Sequence, residues 1–116
     1  MSTPRETAEL HHDQALDSFA RGEYERAVVE YLASFAADPT FTDALHGLAR
    51  AYQDLQRLEE AIAAAQQIIA LDPDDVLAHT CLSVLYQKKN MVAEAETEAS
   101  KARILGWKQE LRQKKR

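Results

Sequence analysis

A spacing of 34 residues runs through this chain. Asp38-Pro39 returns as Asp72-Pro73, Ala27 as Ala61 and Ala95, and Ala15 as Ala49 and, conservatively, as Ser83. Leu48 returns as Leu82 and Tyr52 as Tyr86. One period fits every pair. Self-similarity at a fixed spacing marks a repeat protein, in which each unit buries its apolar face only against its neighbours. At 116 residues the chain has room for about three such units. A stack of this kind is usually a binding surface without a reaction centre.

Local signals divide the chain into helices. Thr3 is a candidate N-cap with Pro4 in the first turn, so a first helix is predicted from about Glu6 to Ala20, ended by a left-handed Gly22. A second runs from Glu23 to Ala37 and stops at Asp38-Pro39, because proline cannot continue it. Thr40 or Thr42 is the expected cap of a third, to about Leu55. A fourth spans Leu58 to Leu71 and stops at Asp72-Pro73. Asp74 or Asp75 caps a fifth, Val76 to Lys88. Asn90 tolerates a left-handed turn where Gly22 stands earlier, and a sixth helix spans Met91 to Leu105. Gly106 is expected to break it, with a short seventh helix from Trp107 onward. Ala44, Leu45, Leu48, Ala49 and Tyr52 follow the amphipathic helical spacing. Ala49 and Ala61 stand where two helices of one hairpin would come closest.

Composition narrows the class. Apolar residues make up 46% and charged residues 28%, an ordinary globular balance. No apolar run reaches the length of a membrane span, the N-terminus carries no apolar signal core, and one cysteine, Cys81, allows no intrachain disulfide. A cytoplasmic location is the expectation. Charge is polarised: residues 1–87 hold 15 acids and 5 bases, residues 88–116 hold 4 acids and 9 bases. The acidic body argues against nucleic acid along most of the surface. The basic end has one aromatic, Trp107, and no interleaved aromatics to stack bases, so no nucleic-acid partner is expected.

The register resembles the tetratricopeptide repeat family, a helix–turn–helix unit of this length. The middle unit is clearest, with Leu45-x2-Leu48-Ala49-x2-Tyr52, then Ala61-x3-Ala65, then Pro73. The first keeps Ala15, Ala27, Tyr31 and Pro39 but has His11 and Ser18 at two signature positions. The third keeps Leu82, Ser83, Tyr86, Ala95 and Ala99, with Trp107 in place of the closing proline. The resemblance implies an all-α, right-handed superhelical stack, a single domain with repeats at about 8–41, 42–75 and 76–109. It also implies a short C-terminal capping helix and basic tail over about 107–116.

By the same resemblance, the first helix of each unit lines a concave groove. The lining residues would be Glu9, His12, Asp13, Leu16 and Phe19 from the first unit. The second would give Asp43, His46, Gly47, Arg50 and Gln53, and the third Leu77, Thr80, Cys81, Val84 and Gln87. Leu16, Phe19, Leu77 and Val84 would offer apolar contacts, and Arg50 would orient an acidic group unless Asp54, one turn on, engages it. Some family members grip a C-terminal carboxylate with a Lys/Asn/Arg cluster. The corresponding positions here hold His12, Leu16, Gly47, Leu77 and Cys81, so that clamp is not expected.

Other chemistries fare poorly. His12 and His46 stand 34 residues apart, as would neighbours in adjacent repeats, yet helix axes lie roughly 8–10 Å apart and a zinc site needs three or four converging ligands. No metal or other cofactor is expected, and the histidines are read as surface or half-buried. No phosphate-binding loop or nucleophile motif is present, and Cys81 is read as a small core or groove residue, so no enzyme is expected. The expected function is a non-catalytic adaptor or scaffold that binds a partner peptide or helix in the groove. The alternative is a structural subunit that self-associates or sits in a larger complex, using its acidic body and basic end.

Overall fold

In a computed structural model, which describes residues 2–115, the fold begins at Thr3. Its hydroxyl accepts the Glu6 backbone N–H at 3.1 Å, while Glu6 Oε1 accepts the Thr3 N–H at 3.2 Å. This reciprocal capping, with Pro4 at the first position, starts α1 (Pro4–Ala20). Five more helices follow: α2 (Tyr24–Ala37), α3 (Thr42–Asp54), α4 (Leu58–Leu71), α5 (Val76–Lys88) and α6 (Val92–Lys114). Among the described residues there is no strand.

The three hairpin turns are copies of one another. Gly22, Gln56 and Asn90, 34 residues apart, all take a left-handed backbone, with φ of 79°, 61° and 61°. Each turn closes with the same bond: Glu23 N–H to the Ser18 carbonyl (2.9 Å), Arg57 to Tyr52 (2.9 Å) and Met91 to Tyr86 (2.8 Å). This satisfies a carbonyl that the ending helix leaves without a partner.

The turns between hairpins are organised by the two Asp-Pro pairs. Asp38 Oδ1 accepts the Thr40 N–H at 3.0 Å, and Asp72 Oδ1 accepts the Asp74 N–H at 3.1 Å. Thr40 is therefore occupied by Asp38, and α3 starts after Phe41 with no side-chain cap, contrary to the expectation for Thr40 or Thr42. Asp75 does cap α5, accepting the Ala78 N–H at 2.9 Å. Asp38 also takes Arg5 Nε at 2.7 Å, which ties the start of α1 to the first Asp-Pro turn. Thr40 and Arg5 together hold the Asp38 carboxyl down at about 2.

Small residues let the helices of each hairpin approach. Ala27, Ala61 and Ala95 are fully buried, as are Ala15 and Ala49. Between units the core is filled by Val28, Tyr31, Leu45, Leu48, Ile62, Ile68, Leu82 and Leu85. Buried hydroxyls are satisfied across the hairpins: Ser34 donates to the Ala8 carbonyl at 2.6 Å and Ser83 to the Ala95 carbonyl at 2.9 Å.

The C-terminal end departs from expectation. α6 runs on through Gly106 to Lys114, so the separate seventh helix from Trp107 is absent. Glycine inside a helix costs roughly 1 kcal/mol relative to alanine, which good helix formers on both sides outweigh. Gly106 also lacks the positive φ that ends α1 at Gly22. Residues 107–115 are exposed, Trp107 by 64%, and the Gln109 amide reaches back to the Asp74 carbonyl at 3.3 Å; Arg116 lies outside the described residues. Termination is written into α6. Glu96 stands in register with the buried Val28 and Ile62, and Arg103 with Phe35 and Ile69, which pack on the core. Both Glu96 and Arg103 are exposed, giving the stack a polar outer face where a further unit would dock.

Candidate binding groove

α1, α3 and α5 each present one helical face to a shared surface with two adjoining hollows. The first, about 390 Å³, is lined by His12, Leu16, Phe19, Tyr31, Asp43, His46, Gly47, Arg50 and Leu77. The second, about 300 Å³, is lined by His46, Ala49, Arg50, Gln53, Ile68, Leu77, Thr80, Cys81 and Val84. His46, Arg50 and Leu77 border both, so the hollows form one trough across the three helices. Of the fifteen positions named from sequence, twelve line it; Glu9 and Asp13 line neither hollow. Gln87, exposed near the end of α5, lines neither hollow.

The apolar contributors differ in availability. Leu16 is 47% exposed, Leu77 69% and Val84 38%. Phe19 is half-buried and packs on the core, its ring 5.1 Å from that of Tyr24. It is thus shared between core and trough, where sequence gave it the same standing as Leu16. Tyr31 forms part of the wall as well as the core, a dual role its buried signature position did not announce.

The polar residues are held by particular partners. The Arg50 guanidinium lies 5.8 Å from the centre of the Phe19 ring, and its Nε stands 3.6 Å from Asp54 Oδ2. Asp54 does engage it, yet the Arg50 side chain stays mostly exposed. His12 packs edge-on against Phe41 at 5.3 Å and beside Tyr31 at 5.6 Å. His46 Nε2 is 2.9 Å from Asp75 Oδ2. Asp75 therefore caps α5 with one oxygen and ties α3 to α5 with the other. Twenty-nine residues separate this pair, and no local pattern signals it. His12 and His46 thus serve different partners. Among the described residues no three His, Cys, Asp or Glu side chains converge as a metal site would require.

One further group corrects the sequence reading. His79, read as surface or half-buried, is 5% exposed. Its Nε2–H donates to the Pro73 carbonyl at 2.8 Å and its Nδ1 stands 2.6 Å from Glu98 Oε2. Burial pushes its pKa down, but the bonds to Glu98 and Pro73 and the Glu98 charge outweigh that, and the net shift is upward. The pair joins α5 to α6 behind the trough. Cys81 is half-buried in the second hollow, and burial pushes its thiol up against a smaller opposing pull from Arg50. A thiol so shifted is a poor nucleophile at neutral pH.

Among the described residues, six helices in three hairpins of one register, with a trough on the first helix of each, define a helical-repeat interaction module. A tetratricopeptide repeat family model matches residues 18–85, and the chain belongs to that family. Over 85 residues it is 32% identical to human sperm-associated antigen 1, a match spanning 73% of this chain and 9% of that protein. Among solved structures, the fold is shared with MamA, with a TM-score of 0.86, 22% identity, and coverage of 89% of this chain and 60% of that one. The second tetratricopeptide domain of Spaghetti bound to the HSP90 peptide SRMEEVD gives a TM-score of 0.82 at 27% identity, covering 87% and 94%.

Proposed function

We propose that this chain is a non-catalytic adaptor that holds a peptide segment or helix of a partner protein in the trough of α1, α3 and α5. The observation that carries this reading is the exposure of Leu16, Leu77 and Val84 on one continuous surface. Three large aliphatic side chains there leave apolar area in water that a ligand side chain would cover, at roughly 25 cal/mol per Å². Arg50, beside them, is available to a carboxylate. The family membership and the Spaghetti domain with its bound peptide support a peptide-binding role.

The ligand class differs from SRMEEVD. His12, Leu16, Gly47, Leu77 and Cys81 supply none of the lysine and asparagine contacts of a carboxylate clamp. Apolar anchoring leads, with charge setting orientation. The raised Cys81 thiol and the separately engaged histidines support a non-enzymatic role. A cytoplasmic setting is in keeping with the single, half-buried cysteine; among the described residues no helix is long and apolar enough to cross a membrane.

Affinity capture with mass spectrometry, comparing the wild type with a Leu16→Asp/Leu77→Asp variant, tests this. Partners recovered by the wild type and lost by a variant of unchanged helicity are the expected result. An identical set of partners would assign binding to another surface.

A further inference from the structure

Beyond Ala102, its last buried residue, α6 keeps only one side against the body. Ile104, Trp107 and Leu111 are 51%, 64% and 43% exposed. At i, i+3 and i+7 they share one side of the helix. The opposite side meets the body: Leu105 is half-buried, and the Gln109 amide donates to the Asp74 carbonyl at 3.3 Å. Ile104 borders a hollow with Ile69, Pro73 and His79, while Trp107 and Leu111, further out, are free of the body. Because the helix continues through Gly106, the arm cannot fold back into its own trough.

Charge on the two surfaces is complementary. Lys108, Arg112, Lys114 and Lys115 border the stripe, and none forms an ion pair among the described residues. On the trough side Glu9, Asp13 and Asp43 likewise form none. Asp43 lines the first hollow, and Glu9 and Asp13 stand on the His12–Leu16 face of α1. An apolar knob edged by cations and an apolar hollow edged by three anions and one cation, Arg50, which Asp54 already engages, belong to one chain.

We infer that the arm of one copy docks in the trough of a second copy. Trp107 and Leu111 enter the hollow between Leu16 and Leu77, and the arm's cations face Glu9, Asp13 and Asp43. The inference rests on the binding role proposed for the trough. A lipid surface of negative charge would attract the arm but repel residues 1–87, whose net charge is −10 from 15 acids and 5 bases. A second copy attracts the arm through those same acids. The contact is head-to-tail, so an assembly of any length keeps one unused arm at one end and one unused trough at the other, and growth is open-ended. The arm then competes with any partner for the trough.

Trp107 is the only tryptophan and reports the contact directly. Sedimentation velocity and tryptophan emission of the full chain are followed against concentration in low and high salt. The expected result is concentration-dependent association with a blue-shifted emission, both weakened by salt. Leu77→Glu and Leu111→Glu should each abolish association with helicity unchanged, and an equimolar mixture of the two should stop at a heterodimer. A wild type that stays monomeric overturns the inference and leaves the trough's partner role intact. Association lost with Leu111→Glu but kept with Leu77→Glu places the acceptor elsewhere and counts against the trough itself. Unchanged association in both variants, or a blue shift produced only by anionic vesicles, also overturns it.

Discussion

Gly47 and Tyr31 share one space. A β-carbon on Gly47 would fall 2.2 Å from Tyr31 Cε1 and 2.3 Å from Cζ. Tyr31, on α2, is 2% exposed, its ring packed against Gly47 of α3 and beside His12 of α1, and its burial pushes the phenol pKa up. The ring cannot swing away without emptying the core at the junction of the first two units. Gly47→Ala should therefore destabilise the fold by roughly 1–3 kcal/mol, the usual penalty of overpacking. Urea unfolding would read this. Placing the same alanine in a Tyr31→Leu background should shrink the penalty, because the clash belongs to the ring.

Gln56 takes a left-handed backbone that glycine adopts without steric cost. Gln56→Gly should stabilise by roughly 0.5–1 kcal/mol, the relief of a left-handed side-chain residue less the added freedom of the unfolded chain. Gly22→Ala, at the equivalent turn, should act in the opposite direction. Thermal unfolding of the two variants tests both signs together.

The His79–Glu98 pair makes docking of α6 pH-dependent. Folding raises the His79 pKa above its ordinary 6.5. The contribution is thus fully present below that value and is lost as pH rises through the raised native one. Amide exchange in α6, corrected for the intrinsic pH effect, should quicken across that alkaline step. Glu98→Gln should remove most of the step, and a proton titration of His79 by NMR should show its pKa lowered in that variant.

Asp38 behaves in the opposite sense. Its carboxyl titrates near 2 in the fold against an ordinary 3.8. The contribution is present above 3.8 and is lost as pH falls through 2. Asp38→Asn should make stability flatter over that acid range and loosen the start of α1, because Arg5 loses its anionic partner. Acid unfolding curves of the variant and the wild type would show the difference.

These residues also mark how far the sequence is legible. Repeating positions such as Ala27, Ala61 and Ala95 report close helix contacts, which any unit of the stack needs, so the architecture is written three times over. The left-handed Gln56 was hidden because nothing in its chemistry asks for that backbone; the turn imposes it. Gly106 misled because one glycine signals a helix end only when the chain after it turns. His79 and Glu98 meet through packing over 19 residues, and a period of 34 carries no trace of such a pair. Trough positions were legible because register fixes the face of a helix, whereas exposure on that face is settled by neighbours, as Phe19 and Leu16 show. The residues that break the repeat, Leu16 against Arg50 and Val84, are the ones that give the trough its own chemistry.

In the proposed role the trough selects an apolar side chain. A random-peptide display selection against the folded chain, followed by titration calorimetry of an enriched peptide, tests it most directly. The enriched peptides should share an aromatic or large aliphatic residue and lose at least about tenfold in affinity, or roughly 1.4 kcal/mol, on Leu16→Asp/Leu77→Asp. Enriched peptides without such a residue, or an affinity unchanged by the two substitutions, would contradict it.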